Sequence, residues 1–243
     1  MGLLPRNTSR SMEIDKILNQ DTLTGMKEMG GGKIDLIVTD PPYLISYKTS
    51  YRKDKEHKFT KEILNDDNFE LVSEYLKECY RILKNNAAAY VFCSAKTVDF
   101  FIKESKAAGF DIKNLIVWDK GNWTAGDLEA QFGQQYEIIL LLNKGRATIN
   151  GKRYSDIWRC PRVSPDKAVH QNQKPLSLIK MCIEAHSKEG DLIFDGFMGS
   201  GTTAVAAINL NRHYIGFELD KEYFEVAQKR IKSAVYEPSL FNL

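Results

Sequence analysis

The sequence predicts an α/β fold on a mainly parallel sheet, and three observations carry that expectation. Short runs rich in Ile, Leu and Val alternate with stretches of helical periodicity along the chain. Two of the runs, Ile34-Asp35-Leu36-Ile37-Val38 and Leu192-Ile193-Phe194, are almost continuously apolar, the pattern of a strand covered on both faces. Each leads into an acid and then into residues that stop regular structure, Asp40-Pro41-Pro42 in one case and Asp195-Gly196 in the other. Ligands of open parallel sheets bind at that carboxyl edge.

Size and composition bound the reading. The 243 residues suit one large domain, and 43% hydrophobic with 27% charged residues is the balance of a globular protein in water. No apolar run approaches the roughly 20 residues that a membrane-spanning helix needs. Residues 1–11 read as an irregular polar leader, with Met12 as a candidate natural start and no apolar segment of a secretory signal. A cytoplasmic domain over 12–243 is therefore expected. Cys79, Cys93, Cys160 and Cys182 lack paired spacing and read as reduced core thiols, with no metal site expected.

Net charge is only +2, but it is unevenly spread. Within 47–61, Lys48, Arg52, Lys53, Lys55, Lys58 and Lys61 face only Asp54 and Glu56. Within 144–167, Lys144, Arg146, Lys152, Arg153, Arg159, Arg162 and Lys167 face only Asp156 and Asp166. Two basic stretches in an otherwise acidic chain suit one face meeting a polyanion.

Taken in order, the elements are these. A strand at 14–19 ends in Gln20-Asp21, and a small helix at 24–29 is stopped by Gly30-Gly31-Gly32. The strand 34–39 leads into a long loop, 44–66, where Tyr47, Tyr51, His57 and Phe59 stand among the bases. Asp67 caps a helix over 68–84, Glu70 completing a capping box, with Phe69, Val72, Leu76, Cys79, Tyr80 and Leu83 inward. A strand at 87–93 and a helix at 97–108, stopped by Gly109, follow. Strands at 112–118 and 136–142 flank a polar stretch, 119–135, and the basic insertion 144–169 comes next. Pro175 opens a helix with Leu176, Ile179, Ile183 and His186 on its apolar face. The strand 192–195, a helix at 203–210, a strand at 213–218 and a helix at 220–234 complete the chain, which makes seven strands.

Asp40-Pro41-Pro42-Tyr43 places a carboxylate, two rigid residues and an aromatic ring at a strand end. The four residues resemble the catalytic motif of amino-group methyltransferases, above all the DNA N6-adenine enzymes. The exocyclic amine that the resemblance implies as target is a poor nucleophile because its lone pair is delocalised into the ring. A carboxylate (Asp40) and a backbone carbonyl (Pro41) accepting its two N–H bonds would push that nitrogen toward sp³ and orient the lone pair. Tyr43 would offer a face on which a flipped base can stack.

Near the other end, Asp195 is followed by Gly196-Phe197-Met198-Gly199-Ser200-Gly201-Thr202-Thr203, and the next strand ends in Glu218. Glycines at a strand-to-helix turn let backbone approach a ligand closely, and an acid after the following strand can accept from both ribose hydroxyls. The third glycine of a dinucleotide fingerprint is missing, which disfavours NAD. From His170 through Ile231 the chain resembles the S-adenosylmethionine site of the β-group DNA amino-methyltransferases. Those enzymes carry Asp-Pro-Phe-x-Gly-Ser-Gly-Thr-Thr, where this chain has Gly196 in place of Pro. They also carry His-Pro-Thr-Gln-Lys-Pro, where it reads His170-Gln171-Asn172-Gln173-Lys174-Pro175. The resemblance implies that the turn Phe197, Gly199, Ser200 and Gly201 wraps the methionine moiety. It further implies hydroxyl contacts from Ser200, Thr202 and Thr203, ribose held by Glu218, and Asp195 within the same cofactor site. Asp21 would meet the adenine, and His170, Gln173, Lys174 and Pro175 would close over the methionine end.

The catalytic motif comes first and the cofactor turn last. The resemblance thus implies a circularly permuted Rossmann-like methyltransferase with a mixed, mostly parallel seven-stranded sheet and helices on both faces. The C-terminal helix should then return beside the strand at 14–19, with Met12 near the C-terminal region. The expected activity is methyl transfer from S-adenosyl-L-methionine to N6 of a flipped adenine in double-stranded DNA. The alternatives are N4-cytosine methylation, whose enzymes more often carry Ser in place of Asp40, and a silent nucleic-acid-binding partner. Loop 44–66 and insertion 144–169 are the expected DNA and target-recognition elements, through Lys48, Arg52, Lys53, Lys55 and Lys58 and through Arg153, Arg159 and Arg162. Relatives are often homodimers, and a cognate restriction enzyme is a further candidate partner.

Overall fold

A computed structural model of the chain describes residues 13–45, 67–124, 129–164 and 173–236. The apolar run before the Asp-Pro-Pro-Tyr motif forms β2 (Ile34–Thr39), every residue of which but Asp35 is buried. It is preceded by β1 (Lys16–Leu18) and α1 (Thr22–Glu28) and followed by α2 (Phe69–Ile82), β3 (Leu83–Cys93), α3 (Val98–Ala108), β4 (Asp111–Thr124), β5 (Gln134–Lys144) and β6 (Ile157–Arg159). The chain continues through α4 (Leu176–His186), β7 (Leu192–Asp195), α5 (Thr202–Asn209), β8 (His213–Phe217) and α6 (Lys221–Tyr236). The strands form one sheet in the order β1-β8-β7-β2-β3-β5-β4-β6. All neighbouring pairs are parallel except those made by β5, which runs antiparallel to both β3 and β4.

Strand alternation distributes the core to two faces. Leu36 and Val38 of β2, Tyr90 and Phe92 of β3, Ile116 and Trp118 of β4, and Ile139 and Leu141 of β5 pack with α4 and α5. Ile34, Ile37, Ala89, Val91, Leu140 and Leu142 pack with α1, α2 and Phe101 of α3. Each fully buried aliphatic side chain contributes about 1.5–3 kcal/mol, so the two layers fix the strand register firmly. The expected mixed sheet with helices on both faces is therefore present.

Four expectations need correction. The sheet has eight strands rather than seven, because β6 inside the basic insertion adds to β4 at the sheet edge. Its Trp158 is buried against Tyr90, which anchors a segment read as loop. The strands reach into the polar stretch 119–135: β4 runs to Thr124 and β5 starts at Gln134, the two pairing there after a register shift beyond Asp119, since ladder pairing uses backbone groups and tolerates polar side chains. Helix α2 is capped by Asn68, whose side chain accepts from Leu71 N–H at 2.9 Å, not by an Asp67–Glu70 box. Phe69, expected inward, is about half exposed and meets Phe100 edge-on.

The edge expected from permuted connectivity is present. β1 lies parallel to β8, Lys16 opposite Ile215, and Asp15 N–H donates to Tyr214 C=O at 2.7 Å. Met12 lies outside the described residues. The four cysteines are buried free thiols, and burial raises Cys79, Cys93 and Cys182, the Cys93 thiol to about 12. None of the described helices is long and apolar enough to cross a membrane.

His186 closes α4 with its Nδ1 2.6 Å from Tyr90 OH, and burial lowers its imidazole to about 4. A base depressed in the folded state is neutral above its unfolded value of about 6.5 and must be charged at a cost below it. Stability should therefore fall as pH drops from about 6.5 toward 4, and His186→Gln should flatten that slope. Thermal unfolding of both proteins at pH 7.5 and pH 5 checks this; parallel losses of Tm would refute it.

Candidate active site

The carboxyl ends of β2 and β7 lie side by side, and one buried carboxylate ties them together. Asp195 Oδ1 accepts from Thr39 Oγ1 at 3.0 Å and from Phe197 N–H at 3.0 Å, and Oδ2 accepts from Thr203 Oγ1 at 2.7 Å. Gly196 N–H donates to Tyr75 OH at 3.2 Å, and Tyr75 OH lies 2.7 Å from Thr39 Oγ1. The last residue of β2, the first turn of α5 and the glycine turn thus share one anchor. Burial pushes the Asp195 carboxyl up to about 7, against the bonds it accepts.

The turn after β7 is held from below rather than by its own hydroxyls. Arg230 of α6 donates to Ser200 C=O at 2.6 Å and Ser200 Oγ at 2.8 Å, and its Nη1 lies 3.3 Å from Thr202 Oγ1. Burial lowers this guanidinium to about 10. The hydroxyls of Ser200, Thr202 and Thr203, expected on a cofactor, are here bonded to Arg230 and Asp195. Gly201 sits at φ 81°, where other residues are strained, and opens α5.

Two observations bear on whether these residues fit S-adenosylmethionine. Glu218 Oε2 accepts from Gly199 N–H at 2.7 Å and Oε1 from Asp220 N–H at 2.8 Å, which leaves a carboxylate with acceptor capacity for a diol at the mouth of the turn. Burial raises this carboxyl and those backbone bonds oppose the rise. The turn itself presents close-packed backbone: a Cβ at Gly216 beneath it would collide with Asp195 C=O and Met198. The residues fit. Asp21 lies at the end of β1, where its Oδ1 accepts from Thr24 N–H and Thr24 Oγ1 as the cap of α1. His170 lies outside the described residues.

The Asp40-Pro41-Pro42-Tyr43 loop leaves β2 toward the α4 side of the sheet, with both prolines buried. Thr97 Oγ1 donates to Tyr43 C=O at 2.8 Å and pins the loop. Lys174, expected over the methionine end of a cofactor, instead extends to Asp40, with Nζ 2.6 Å from Oδ2. Its ammonium lies 3.5 Å from Glu137 Oε2 and over the rings of Tyr43, Phe92 and Trp118 at 5.2, 5.4 and 6.0 Å. Glu137 also accepts from Tyr43 OH at 2.8 Å and from Lys120 Nζ at 3.2 Å. Burial raises Asp40, and Lys174 pulls it back. Burial would raise Glu137 too, but Lys174 and Lys120 hold it below the usual carboxylate range. Among the described residues, Asp40 Oδ1 is buried with no hydrogen-bond partner. An acceptor left open beside rigid prolines and a tyrosine face is what an incoming amine requires.

Glu137, Lys120, Tyr75, Thr97 and Arg230 escaped the sequence reading. Alternation held a signal for two of them: Lys120 follows Ile116 and Trp118 at period two, and Glu137 precedes Ile139 and Leu141. Of the expected DNA contacts, Arg153 and Arg162 are exposed, Arg159 is exposed with Nε 3.1 Å from Asp119 Oδ2, and Lys48, Arg52, Lys53, Lys55 and Lys58 lie outside the described residues.

Gly196 explains its own departure from the proline of the resembling motif. A Cβ there would run into the Tyr75 ring and come within 2.6 Å of Thr22 Oγ1, and a proline would also forfeit the N–H bonded to Tyr75. Gly196→Ala should destabilise the protein by about 1–3 kcal/mol through overpacking. An unchanged Tm in thermal unfolding would show that Tyr75 does not fill that space.

Comparison with known proteins agrees with this geometry. The model of the family described as DNA methylase, N6_N4_Mtase, matches residues 34–229. The chain is 29% identical to the type II methyltransferase M.HpaI of Haemophilus parainfluenzae over 90% of this chain and 74% of that protein. It is likewise 29% identical to the DNA adenine methyltransferase YhdJ of Escherichia coli over 91% of this chain and 84% of that one. Among solved structures, the M1.HpyAVI–SAM complex superposes with a TM-score of 0.70 at 27% identity, covering 89% of this chain and 98% of the other. The cytosine-N4-specific PvuII DNA methyltransferase shares the fold, with a TM-score of 0.73 at 16% identity over 91% of this chain and 88% of its own. The family model spans most of the chain, and the chain belongs to the N6/N4 DNA methylase family.

Proposed function

We propose that the chain methylates N6 of an adenine turned out of duplex DNA, with S-adenosylmethionine as donor. The observation that carries this is the open Oδ1 of Asp40 at the end of β2, beside the glycine turn at the end of β7. Bound S-adenosylmethionine supplies a sulfonium methyl group, an electrophile with a good leaving group already attached. The remaining work falls to the protein's own residues.

Asp40 Oδ1 would accept one amino hydrogen and the Pro41 carbonyl the other, which would orient the nitrogen lone pair for attack on the methyl donor. Tyr43 is held by its OH on Glu137 and its backbone on Thr97, so its ring gives a fixed stacking face. The methylated amine would carry a positive charge, with the donor leaving as the neutral thioether. Asp40 stabilises that charge and is the nearest acceptor for the proton the amine then loses. Glu218 holds the ribose and the Phe197–Gly201 turn the methionine moiety. Exposed Arg153 and Arg162, with the basic loop 44–66, supply phosphate and base contacts. Asp40 supports adenine over cytosine, since the N4-cytosine enzymes that this motif resembles more often carry Ser there.

Labelled S-adenosylmethionine, mixed-sequence duplex DNA and nucleoside analysis of the digest test the reading. N6-methyladenine is expected, reduced at least about 100-fold by Asp40→Ala with cofactor binding retained. N4-methylcytosine as the product would overturn the choice of base, and label on RNA alone would overturn the substrate.

A further inference from the structure

Four charges from four different elements meet on the α4 side of the sheet: Asp40 after β2, Lys120 on β4, Glu137 on β5 and Lys174 ahead of α4. Only Asp40 belongs to the family's catalytic motif. The group is electrically neutral and linked in a chain, Lys120 to Glu137, Glu137 to Lys174, and Lys174 to Asp40, with Tyr43 OH also on Glu137. Lys174 is 7% exposed and boxed by three aromatic rings. A lysine so enclosed cannot trade partners with water, and removing one member of such a set strands a buried charge.

We propose that Lys174 is the positioning residue for Asp40, holding the carboxylate ionised and rotated so that Oδ1 faces the target amine, with Glu137 as the second counter-charge that keeps Lys174 in place and Lys120 as the partner that holds Glu137. The inference rests on the proposed methyl transfer and goes beyond it. The geometry divides the work of the carboxylate between its two oxygens. Oδ2 is taken by Lys174 at 2.6 Å, and Oδ1 is the buried atom without a partner among the described residues. Ionisation matters because only a carboxylate is a pure acceptor. A protonated Asp40 would offer an O–H to the nitrogen lone pair and remove the electrons that must attack.

The other charges around Asp40 favour that protonation. Glu137 is a like charge beside Asp40, Asp195 is another beneath the loop, and Tyr43 and the Cys93 thiol are the remaining titratable neighbours. Burial acts in the same direction, which leaves Lys174 as the opposing charge on Asp40. Lys174 itself stays protonated: burial works against its charge, but Asp40 and Glu137 together raise it above the ordinary lysine value. The aromatic box fixes the stem and so fixes which carboxylate oxygen the ammonium reaches.

The test compares the full-length wild type with Lys174→Met, Lys174→Arg and Glu137→Gln, reading kcat/KM for DNA methylation against pH and S-adenosylmethionine affinity by calorimetry. Loss of the counter-charge should move the acid limb of Lys174→Met to higher pH, so that it loses about tenfold more activity at pH 6 than at pH 8.5. Loss of the like charge should move the limb of Glu137→Gln the opposite way. Lys174→Arg should restore the wild-type limb, and cofactor affinity should stay within about threefold throughout. A purely structural role would scale activity at every pH and could not displace the limb in two opposite directions. Unmoved limbs overturn the inference, as does loss of cofactor binding in Lys174→Met with the limb in place, which would return Lys174 to the cofactor. If Lys174→Met does not fold, the direction of the Glu137→Gln limb decides alone. A wild type that methylates no DNA would remove the proposed function and the inference with it, whereas an active wild type with unmoved variants removes only the inference.

Discussion

The bond from Thr39 to Asp195 joins the two halves of the site. One oxygen of that carboxylate accepts from Thr39 at the end of β2 and from Phe197 N–H in the turn, the other from Thr203 in the first turn of α5, so the glycine turn cannot shift without disturbing β2. In-line transfer between two bound groups tolerates little misplacement, because orientation supplies much of the rate. A fully buried anchor accepting several bonds is stiff for the reason that makes it costly: each donor left unpaired in the interior costs about 1–3 kcal/mol. Tyr75 carries the same restraint to the backbone of Gly196, and Gly196 has no side chain because Tyr75 occupies the space.

Electrostatics organises the other side of the loop in a different way. Asp195 is satisfied by neutral donors, whereas Asp40 is held by a charge. The contrast matches the two roles. Asp195 has only to stay where it is, and hydrogen bonds from hydroxyl and amide do that whether it carries a full charge or shares a proton. In the proposed reaction Asp40 presents an open acceptor to the substrate, and among the described residues one of its oxygens is bonded to an ammonium and the other has no partner. The aromatic rings around Lys174 serve both core and site, since Phe92 and Trp118 are core residues of their strands whose faces also stabilise the cation.

Arg230 shows how the periphery supports this centre. It reaches from α6 under the glycine turn and bonds the carbonyl and hydroxyl of Ser200, so the last helix of the chain braces the proposed cofactor site. At the same end of the sheet, β1 is the edge strand beside β8, as expected of permuted connectivity. The turn hydroxyls of Ser200, Thr202 and Thr203 are bonded to Arg230 and Asp195, and Glu218 accepts from the turn backbone at Gly199.

The sequence by itself determined the parallel centre of the sheet, the helices on both faces, and the two loops that meet at its carboxyl edge. Continuous apolar runs can form only buried strands, while paired prolines and clustered glycines forbid continuation, and both effects are local. Lys120 and Glu137 were legible only in outline, as charges at apolar positions of a period-two pattern. Only the tertiary structure decided that Lys120 meets Glu137, that Glu137 faces Lys174 and that Lys174 belongs to Asp40. It alone decided that β6 joins the sheet, because three residues gain strand pairing only when a neighbouring edge is present. Pairing between residues more than a hundred positions apart depends on how the sheet brings strand ends together, and no local preference encodes that distance.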